Sequence, residues 1–128
     1  MKEGVVARKF LRAFAEWDLD TYEKLLAPGA VEGRPQMGEK FVGRDRIMGM
    51  YRSRSGEPPR IEWRSVTGES QMWIGQGVIE DAAGAHGPDH IVAIVRLDAG
   101  SIIGVDYYFS SALEPPDYHQ RFATLIGH

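Results

Sequence analysis

The strongest constraint on the fold is a change in the period of the apolar residues near the middle of the chain. Before residue 55 apolar side chains recur every three or four residues, which is typical of amphipathic helices. After residues 55–59, which include two prolines and a glycine, apolar and polar side chains alternate as in β-strands. The chain therefore predicts an α+β fold with a helical first part and a sheet in the second part.

Three helices are predicted in the first part. The first covers residues 5–17, and the third runs from Arg44 to about Ser53. The second begins after Asp18 or Asp20, because either carboxylate can accept hydrogen bonds from the first free N–H groups of a helix. Between residues 30 and 42, glycines and a proline indicate a short strand, a turn and another short strand.

Four long strands are predicted after residue 59. They cover residues 61–67, 71–80 and 90–97, and Ser101–Ser110. Short connections make successive strands antiparallel neighbours, so the strands form a meander with the helices on one face. We expect the last strand to be the most central one.

The end of the chain predicts a last helix that begins at Asp117. Its apolar face would consist of Tyr118, Phe122, Leu125 and Ile126. An apolar face needs a partner, so this helix is expected to cover the opening of its own fold or to contact a second subunit.

Composition limits the possible functions. The 128 residues suit a single domain at 1–128, with 115–128 as a helical tail, and the net charge of −3 does not favour nucleic acid as a partner. The chain has no cysteine, which excludes disulfides and thiol chemistry and is compatible with a reducing compartment. No apolar run approaches the roughly 20 residues of a membrane span. We therefore expect a cytoplasmic protein without a membrane partner.

Several segments carry a resemblance to a known family. They are FLRAFAEWDLD at residues 10–20, LLAPGAV at 25–31, GRDRI at 43–47, and GSII at 100–103 followed by YYF at 107–109. In this order and spacing they resemble the nuclear transport factor 2-like superfamily, which includes SnoaL-like polyketide cyclases, ketosteroid isomerases and limonene epoxide hydrolases. The resemblance covers nearly the whole chain apart from the tail after Pro115.

This resemblance implies a cone-shaped α+β fold of the cystatin-like roll type. In that fold a curved antiparallel or mixed sheet wraps around the helices and encloses an apolar pocket. The resemblance also implies a homodimer that forms through the outer face of the sheet. Because one fold supports many functions, it does not by itself identify a reaction.

The catalytic residues of two branches of the superfamily are missing. Ketosteroid isomerases use a carboxylate base and two oxyanion-binding residues, and the aligned positions hold Gly33, Phe10 and Ala93. Limonene epoxide hydrolases use an arginine between two aspartates, and the aligned positions hold Gln76, Val78 and Tyr107. Neither of these chemistries is expected, although a shift of the alignment by one residue would exchange the two faces of a strand.

Three residues are candidates for catalysis. The resemblance turns Tyr107 into the pocket, and the same phase turns Gln76 inward on a neighbouring strand. Tyr107 could donate a hydrogen bond to a carbonyl or enolate oxygen, and a bonded core tyrosine is the alternative. Gln76 is a candidate substrate anchor or a core amide. A register shift would turn Asp106 inward instead, and burial would suit its carboxyl to general acid–base catalysis.

Five aromatic residues are candidates for the substrate-binding wall, with core packing as the alternative. They are Phe14, Trp17, Tyr51, Trp63 and Phe109. His86, Asp89 and His90 are of metal-ligand types but have no fourth ligand nearby, so neither a metal nor another cofactor is expected.

Two functions therefore stay open. The first is a SnoaL-like enzyme, a cyclase, isomerase or dehydratase, that transfers protons on a small apolar or aromatic metabolite without a cofactor. The second is a non-catalytic domain of the same fold that binds an apolar ligand or mediates dimerisation. A cavity without titratable side chains would contradict the first function.

Overall fold

The computed structural model describes residues 2–81, 89–111 and 113–126. In these residues three helices pack against a six-stranded sheet. The helices are α1 (Lys2–Glu16), α2 (Leu19–Leu25) and α3 (Arg44–Arg52). Of the two predicted caps of α2, Asp18 is the one used, since its carboxylate accepts hydrogen bonds from the Thr21 N–H at 3.2 Å and the Thr21 hydroxyl at 2.7 Å.

The strands form one mixed sheet. They are β1 (Leu26–Arg34), β2 (Glu39–Val42), β3 (Arg60–Glu69), β4 (Met72–Glu80), β5 (Asp89–Asp98) and β6 (Ser101–Ser110). Their order is β2-β1-β6-β5-β4-β3, with β1 parallel to β6 and every other pair antiparallel. The meander predicted from β3 to β6 is confirmed, and β6 lies inside the sheet between β1 and β5.

The core lies between the helices and the inner face of this sheet. Phe10, Leu11 and Phe14 of α1 are buried against it. The inner face of β5 and β6 supplies alternating buried residues that include Ile91, Ala93, Val95, Val105 and Tyr107. This alternation confirms the predicted phase of β6, with Tyr107 turned inward and fully buried.

The predicted phase of β4 is wrong by one residue. The prediction turned Gln76 inward, and with it Ile74 two positions before, but Gln76 is exposed and Ile74 is 41% exposed. Gly75 and Gly77 face inward instead. A Cβ atom on Gly75 would lie 2.8 Å from a Leu11 methyl group and 3.1 Å from the Trp63 ring. Because glycine has no apolar side chain, the alternation of apolar and polar residues in β4 does not show which face is buried.

The helix predicted at the end of the chain is also wrong for the residues described. The structure has only a 3₁₀ turn at Asp117–His119, and the side chains of Tyr118, Phe122, Leu125 and Ile126 are exposed. Short helices owe most of their stability to packing of an apolar face, and here that face is not packed.

In the described residues no helix is both long enough and apolar enough to span a membrane.

Candidate functional site

A cavity of about 310 Å³ opens at one end of the inner sheet face. This volume lies at the lower end of the range for small-molecule sites. Its apolar wall consists of Phe14, Met37, Pro59, Ile79 and Phe109. Four charged residues also line it, namely Arg34, Arg54, Asp81 and Asp89. The cavity is therefore mainly apolar but contains both cations and carboxylates.

Arg34, the last residue of β1, is held by hydrogen bonds to two buried side chains. Its Nη2 atom donates hydrogen bonds to Glu32 Oε2 at 3.1 Å and to the Tyr51 hydroxyl at 2.9 Å. The guanidinium carbon lies 5.5 Å from the ring centres of Tyr107 and Phe109 and 5.8 Å from that of Tyr51. These contacts hold the cation in one position at the cavity wall.

Electrostatics keep Arg34 charged. Burial lowers the pKa of the Arg34 guanidinium, but the neighbouring Tyr51 and Glu32 raise it by more. The net result is a pKa above the ordinary value of arginine. Arg34 is thus a permanent cation beside the cavity.

Glu32 lies behind Arg34 and is fully buried. Its Oε1 accepts a hydrogen bond from the Tyr22 hydroxyl at 2.6 Å, and its Oε2 accepts one from the Tyr51 hydroxyl. Burial raises the pKa of the Glu32 carboxyl, and the hydrogen bonds from Tyr22 and Tyr51 and the charge of Arg34 limit this rise. Glu32 is not among the residues that line the cavity.

Three tyrosine hydroxyls complete this network. The hydroxyls of Tyr22 and Tyr107 lie 2.8 Å apart. Burial raises the pKa values of Tyr22, Tyr51 and Tyr107 well above 10, and the negative charge of Glu32 adds to this effect. The hydroxyls therefore stay protonated and act as hydrogen-bond donors.

Aromatic packing fixes the network further. The Phe14 ring stacks on Tyr107 with centroids 4.5 Å apart, and the Phe10 ring stacks on Tyr22 at 4.2 Å. Such stacked rings have little rotational freedom in a packed core. The geometry of Glu32 and Arg34 is therefore set before any ligand binds.

The two carboxylates lie on the other side of the cavity from Arg34. Asp89 begins β5 directly opposite Ile79 of β4, and Asp81 lies two positions after Ile79. Residues opposite each other or two apart share one face of a sheet, so both carboxylates belong to the inner face. Because β6 separates β1 from β5, the strands that carry Arg34 and Asp89 are about 10 Å apart.

The aromatic residues predicted for the binding wall divide into two groups. Phe14 and Phe109 line the cavity, Tyr51 contacts Arg34 behind them, and Trp17 packs against Phe14 and Tyr51. Trp63 is elsewhere. Its indole N–H donates to the Leu11 carbonyl at 2.7 Å, and it lines a separate groove along α1.

The three residues predicted to be catalytic are not brought together. Tyr107 is turned inward, but its hydroxyl bonds to Tyr22 and it is not among the cavity-lining residues. Asp106 faces the opposite side of β6, where Arg96 donates to it at 3.0 Å. Gln76 is exposed on the outer face of β4. The expectation that Gln76 faces the pocket is therefore wrong, because β4 has the opposite phase.

Sequence reasoning missed Glu32 and Arg34. The aligned position of the isomerase base fell on Gly33, whose neighbours on both sides carry these charged groups. Gly33 faces outward, because a Cβ atom there would overlap the Asp106 carboxylate, so residues 32 and 34 must face inward. The sequence pattern that could have revealed them is a pair of charged residues two positions apart, one on each side of Gly33.

Within residues 2–81, 89–111 and 113–126, no group of three or more potential metal ligands is found. Of the His86, Asp89 and His90 set, His86 lies outside the described residues.

Comparisons of the sequence with protein families and with curated proteins find no match. Solved structures do match. An NTF2-like protein of unknown function from Burkholderia xenovorans LB400 is 25% identical, with a TM-score of 0.84 over 98% of this chain and 96% of that one. A proposed ketosteroid isomerase from Kribbella flavida DSM 17836 is 16% identical, with a TM-score of 0.87 over 99% and 91%.

A proposed SnoaL-like polyketide cyclase from Shewanella putrefaciens CN-32 is 14% identical, with a TM-score of 0.72 over 86% of this chain and 90% of that one. An epoxide hydrolase of Mycobacterium tuberculosis also matches, with 16% identity and a TM-score of 0.69 over 85% and 83%. Similar backbones thus carry different proposed chemistries. The mixed sheet, the helices packed on its inner face and these neighbours together show that the chain has the nuclear transport factor 2-like α+β fold.

Proposed function

We propose that the protein is a SnoaL-like enzyme that transfers a proton on a small apolar or aromatic substrate without a cofactor. The observation that carries this proposal is a partly buried permanent cation, Arg34, that shares a mainly apolar cavity with the carboxylates of Asp81 and Asp89. Abstraction of a proton from the carbon next to a carbonyl group needs a base that takes the proton and a cation that stabilises the negative charge on the oxygen. Both kinds of group line this cavity. Isomerases, cyclases and dehydratases all use such a step.

In this proposal Asp89 is the general base. It takes a proton from a carbon next to a substrate carbonyl, the electron pair of the broken C–H bond forms the C=C bond of an enolate, and the π electrons of the carbonyl group move onto its oxygen. Arg34 stabilises the resulting negative charge, and it does so strongly because the cavity wall is mainly apolar. β1 and β5 lie about 10 Å apart across β6, and Asp89 lies four residues along β5 from Ala93, the residue opposite Tyr107, so a substrate has room between the two groups.

Glu32, Tyr22, Tyr51 and Tyr107 act as positioning residues. They hold Arg34 through the hydrogen bonds and ring contacts described above and do not contact the substrate. Preorganised charges stabilise a transition state best when they need not move during the reaction, and this network supplies that rigidity. The role of Tyr107 in this proposal is thus indirect.

Hydrogen–deuterium exchange tests the proposal. Small cyclic ketones, some bearing an aromatic ring, are incubated with the protein in D₂O, and loss of the α-proton signals is followed by NMR. Asp89→Asn is expected to reduce the catalysed exchange at least about 100-fold. Arg34→Lys, which keeps the charge but changes the donor geometry, is expected to reduce it about 10-fold.

Two further variants complete this test. Asp81→Asn distinguishes the two carboxylates. If Asp81→Asn reduces the exchange rate more than Asp89→Asn does, Asp81 is the base. Arg64→Gln, on exposed β3, is the control and should exchange at the wild-type rate. Failure of the wild-type protein to exchange any ketone would favour a non-catalytic domain that binds an apolar ligand.

We also propose a homodimer formed through the outer sheet face, in the cytoplasmic location expected from the sequence. The observation in favour is a set of large apolar side chains, each 37–49% exposed, on the outer face of β4 and β6, namely Met72, Ile74, Ile103 and Tyr108. Light scattering after size-exclusion chromatography should give a dimer for the wild type and a monomer for Ile74→Glu. A monomeric wild type at high micromolar concentration would contradict the proposed dimer.

A further inference from the structure

The two arginines of the cavity have different electrostatic surroundings. Arg34 forms an ion pair with the buried Glu32 at 3.1 Å, so the protein itself balances its charge. Arg54 lies over the Trp17 ring at 5.7 Å and donates to the Glu57 carbonyl oxygen at 3.3 Å. Among the described residues, no carboxylate forms an ion pair with Arg54. Arg54 therefore brings to the cavity a positive charge that is not held in an ion pair with a described carboxylate.

Arg34 also has a donor without an acceptor. Its Nε atom is buried, and within the described part of the chain it has no hydrogen-bond partner. Both hydrogen bonds that Arg34 makes to described residues come from Nη2. A buried N–H group beside a cavity normally finds an acceptor, from the protein, from water or from a ligand. An anionic oxygen bound in the cavity supplies such an acceptor, directly or through a water molecule.

We propose that the ligand of this cavity is a monocarboxylate with an aromatic or alicyclic body. This inference deepens the proposed function and rests on it, because it assigns the substrate class of the same cavity. The carboxylate binds between Arg54 and the Nε group of Arg34, where its planar pair of oxygens matches the N–H geometry of guanidinium groups. The Nη1 group of Arg34 then serves the enolate oxygen of the proposed reaction. The apolar body lies against Phe14 and Phe109.

The rest of the cavity restricts the ligand to one carboxylate. Asp81 and Asp89 line the side formed by β4 and β5, and a second anionic group on the ligand would approach them. Repulsion between like charges in a mainly apolar cavity is strong. The cavity therefore favours a ligand that is anionic at the arginine end and uncharged at the carboxylate end, where the proposed base acts.

Three probes of similar shape test this inference. They are 3-phenylpropanoate, its uncharged analogue 3-phenylpropanamide, and the dicarboxylate 4-(2-carboxyethyl)benzoate. Calorimetric titrations at pH 7 and low salt should show the monocarboxylate binding about tenfold more tightly than the amide, as expected for a charge-assisted hydrogen bond. The dicarboxylate should bind more weakly than the monocarboxylate by about the same factor.

Two variants assign the effect to Arg54. Arg54→Gln should reduce the affinity for 3-phenylpropanoate about tenfold and leave the affinity for the amide unchanged. Arg64→Gln removes a cation from exposed β3, outside the cavity, and should change neither affinity. Because Arg54 is itself exposed, its replacement is expected to leave the fold intact.

Three outcomes would each overturn the inference. In the first the acid and the amide bind equally tightly, in the second the acid does not bind, and in the third Arg54→Gln binds the acid like the wild type. The ketone exchange assay separates these outcomes from failure of the proposed function. If neutral ketones exchange but 3-phenylpropanoate does not bind, the proposed proton transfer stands and the monocarboxylate ligand is ruled out. If the acid binds tightly through Arg54 but no ketone exchanges its protons, the monocarboxylate ligand stands and the proposed proton transfer is ruled out.

Discussion

Glu32 and Arg34 form an ion pair 3.1 Å long between two side chains on the same face of β1. The Glu32 side chain is fully buried and that of Arg34 is 16% exposed, so water screens the pair only weakly. The hydroxyls of Tyr22 and Tyr51 donate two further hydrogen bonds to the carboxylate. A buried charge of this kind is tolerated only with its partner and its hydrogen bonds in place.

Removal of the cation alone should therefore destabilise the fold. We expect Arg34→Gln to lower the free energy of unfolding by about 3 kcal/mol, because Glu32 is left buried without its countercharge. Arg64→Gln is the matched control. Its partner Glu62 is 70% exposed, and such a pair contributes no more than about 0.5 kcal/mol. Urea unfolding at pH 7 measures both changes, and similar values for the two variants would contradict a buried ion pair.

The pKa of Glu32 makes a prediction about pH. Burial holds this pKa above its ordinary value of 4.5, so the folded state keeps the proton to higher pH than the unfolded state does. The stability contributed by Glu32 is then fully present below about pH 4.5 and decreases as pH rises through the raised pKa. Glu32→Gln lacks this titration.

The measurement is the free energy of unfolding of wild type and Glu32→Gln at intervals from acid to neutral pH. The wild-type value minus the variant value should fall as pH rises. If the difference instead grows with pH, ionisation of Glu32 stabilises the fold and its pKa is lowered.

The hydroxyl of Tyr107 should stabilise the fold by about as much as one hydrogen bond does. Tyr107→Phe keeps the ring stacked on Phe14 and removes the contact with the Tyr22 hydroxyl, at a cost of about 1 kcal/mol. Tyr108→Phe, on the outer face of the same strand, should leave the stability unchanged. Thermal unfolding of both variants checks this.

Ketone exchange by Tyr107→Phe then distinguishes two roles for this residue. A positioning role predicts only a few-fold decrease in rate. A loss as large as that of Asp89→Asn would show that Tyr107 contacts the substrate directly.

The inward glycines of β4 should resist substitution. A Cβ atom on Gly77 would overlap the backbone carbonyl oxygen of Glu62 on β3, and backbone cannot move aside as a flexible side chain can. We expect Gly77→Ala to lower the free energy of unfolding by about 2 kcal/mol. Gly49→Ala is the matched control within α3, because nothing lies within 4 Å of its Cβ position.

That control should stabilise the protein by about 0.5 to 1 kcal/mol, since alanine favours helices more than glycine does. Chemical unfolding of both alanine variants gives the comparison. Equal tolerance at the two positions would contradict the close contact of β3 and β4 at Gly77.

Much of the fold could be predicted from local patterns. The periods of 3.6 and 2 gave the three helices and the meander, because each pattern reflects burial of one side of a single element. The phase of β6 followed from the resemblance, and the burial of Tyr107 confirms it. The phase of β4 could not be predicted, because Gly75 and Gly77 carry no side chain that reports which face is buried.

The candidate site depended on contacts between distant segments. Tyr22 and Tyr107 are 85 positions apart, and their hydroxyls meet only because β1 lies parallel to β6 at the centre of the sheet. The same pairing turns Gly33 toward Asp106 and so turns Glu32 and Arg34 inward. Local periodicity was enough to predict the α+β class and the order of the elements. It could not predict which charged groups share the cavity, because that depends on the register between strands that are remote in sequence.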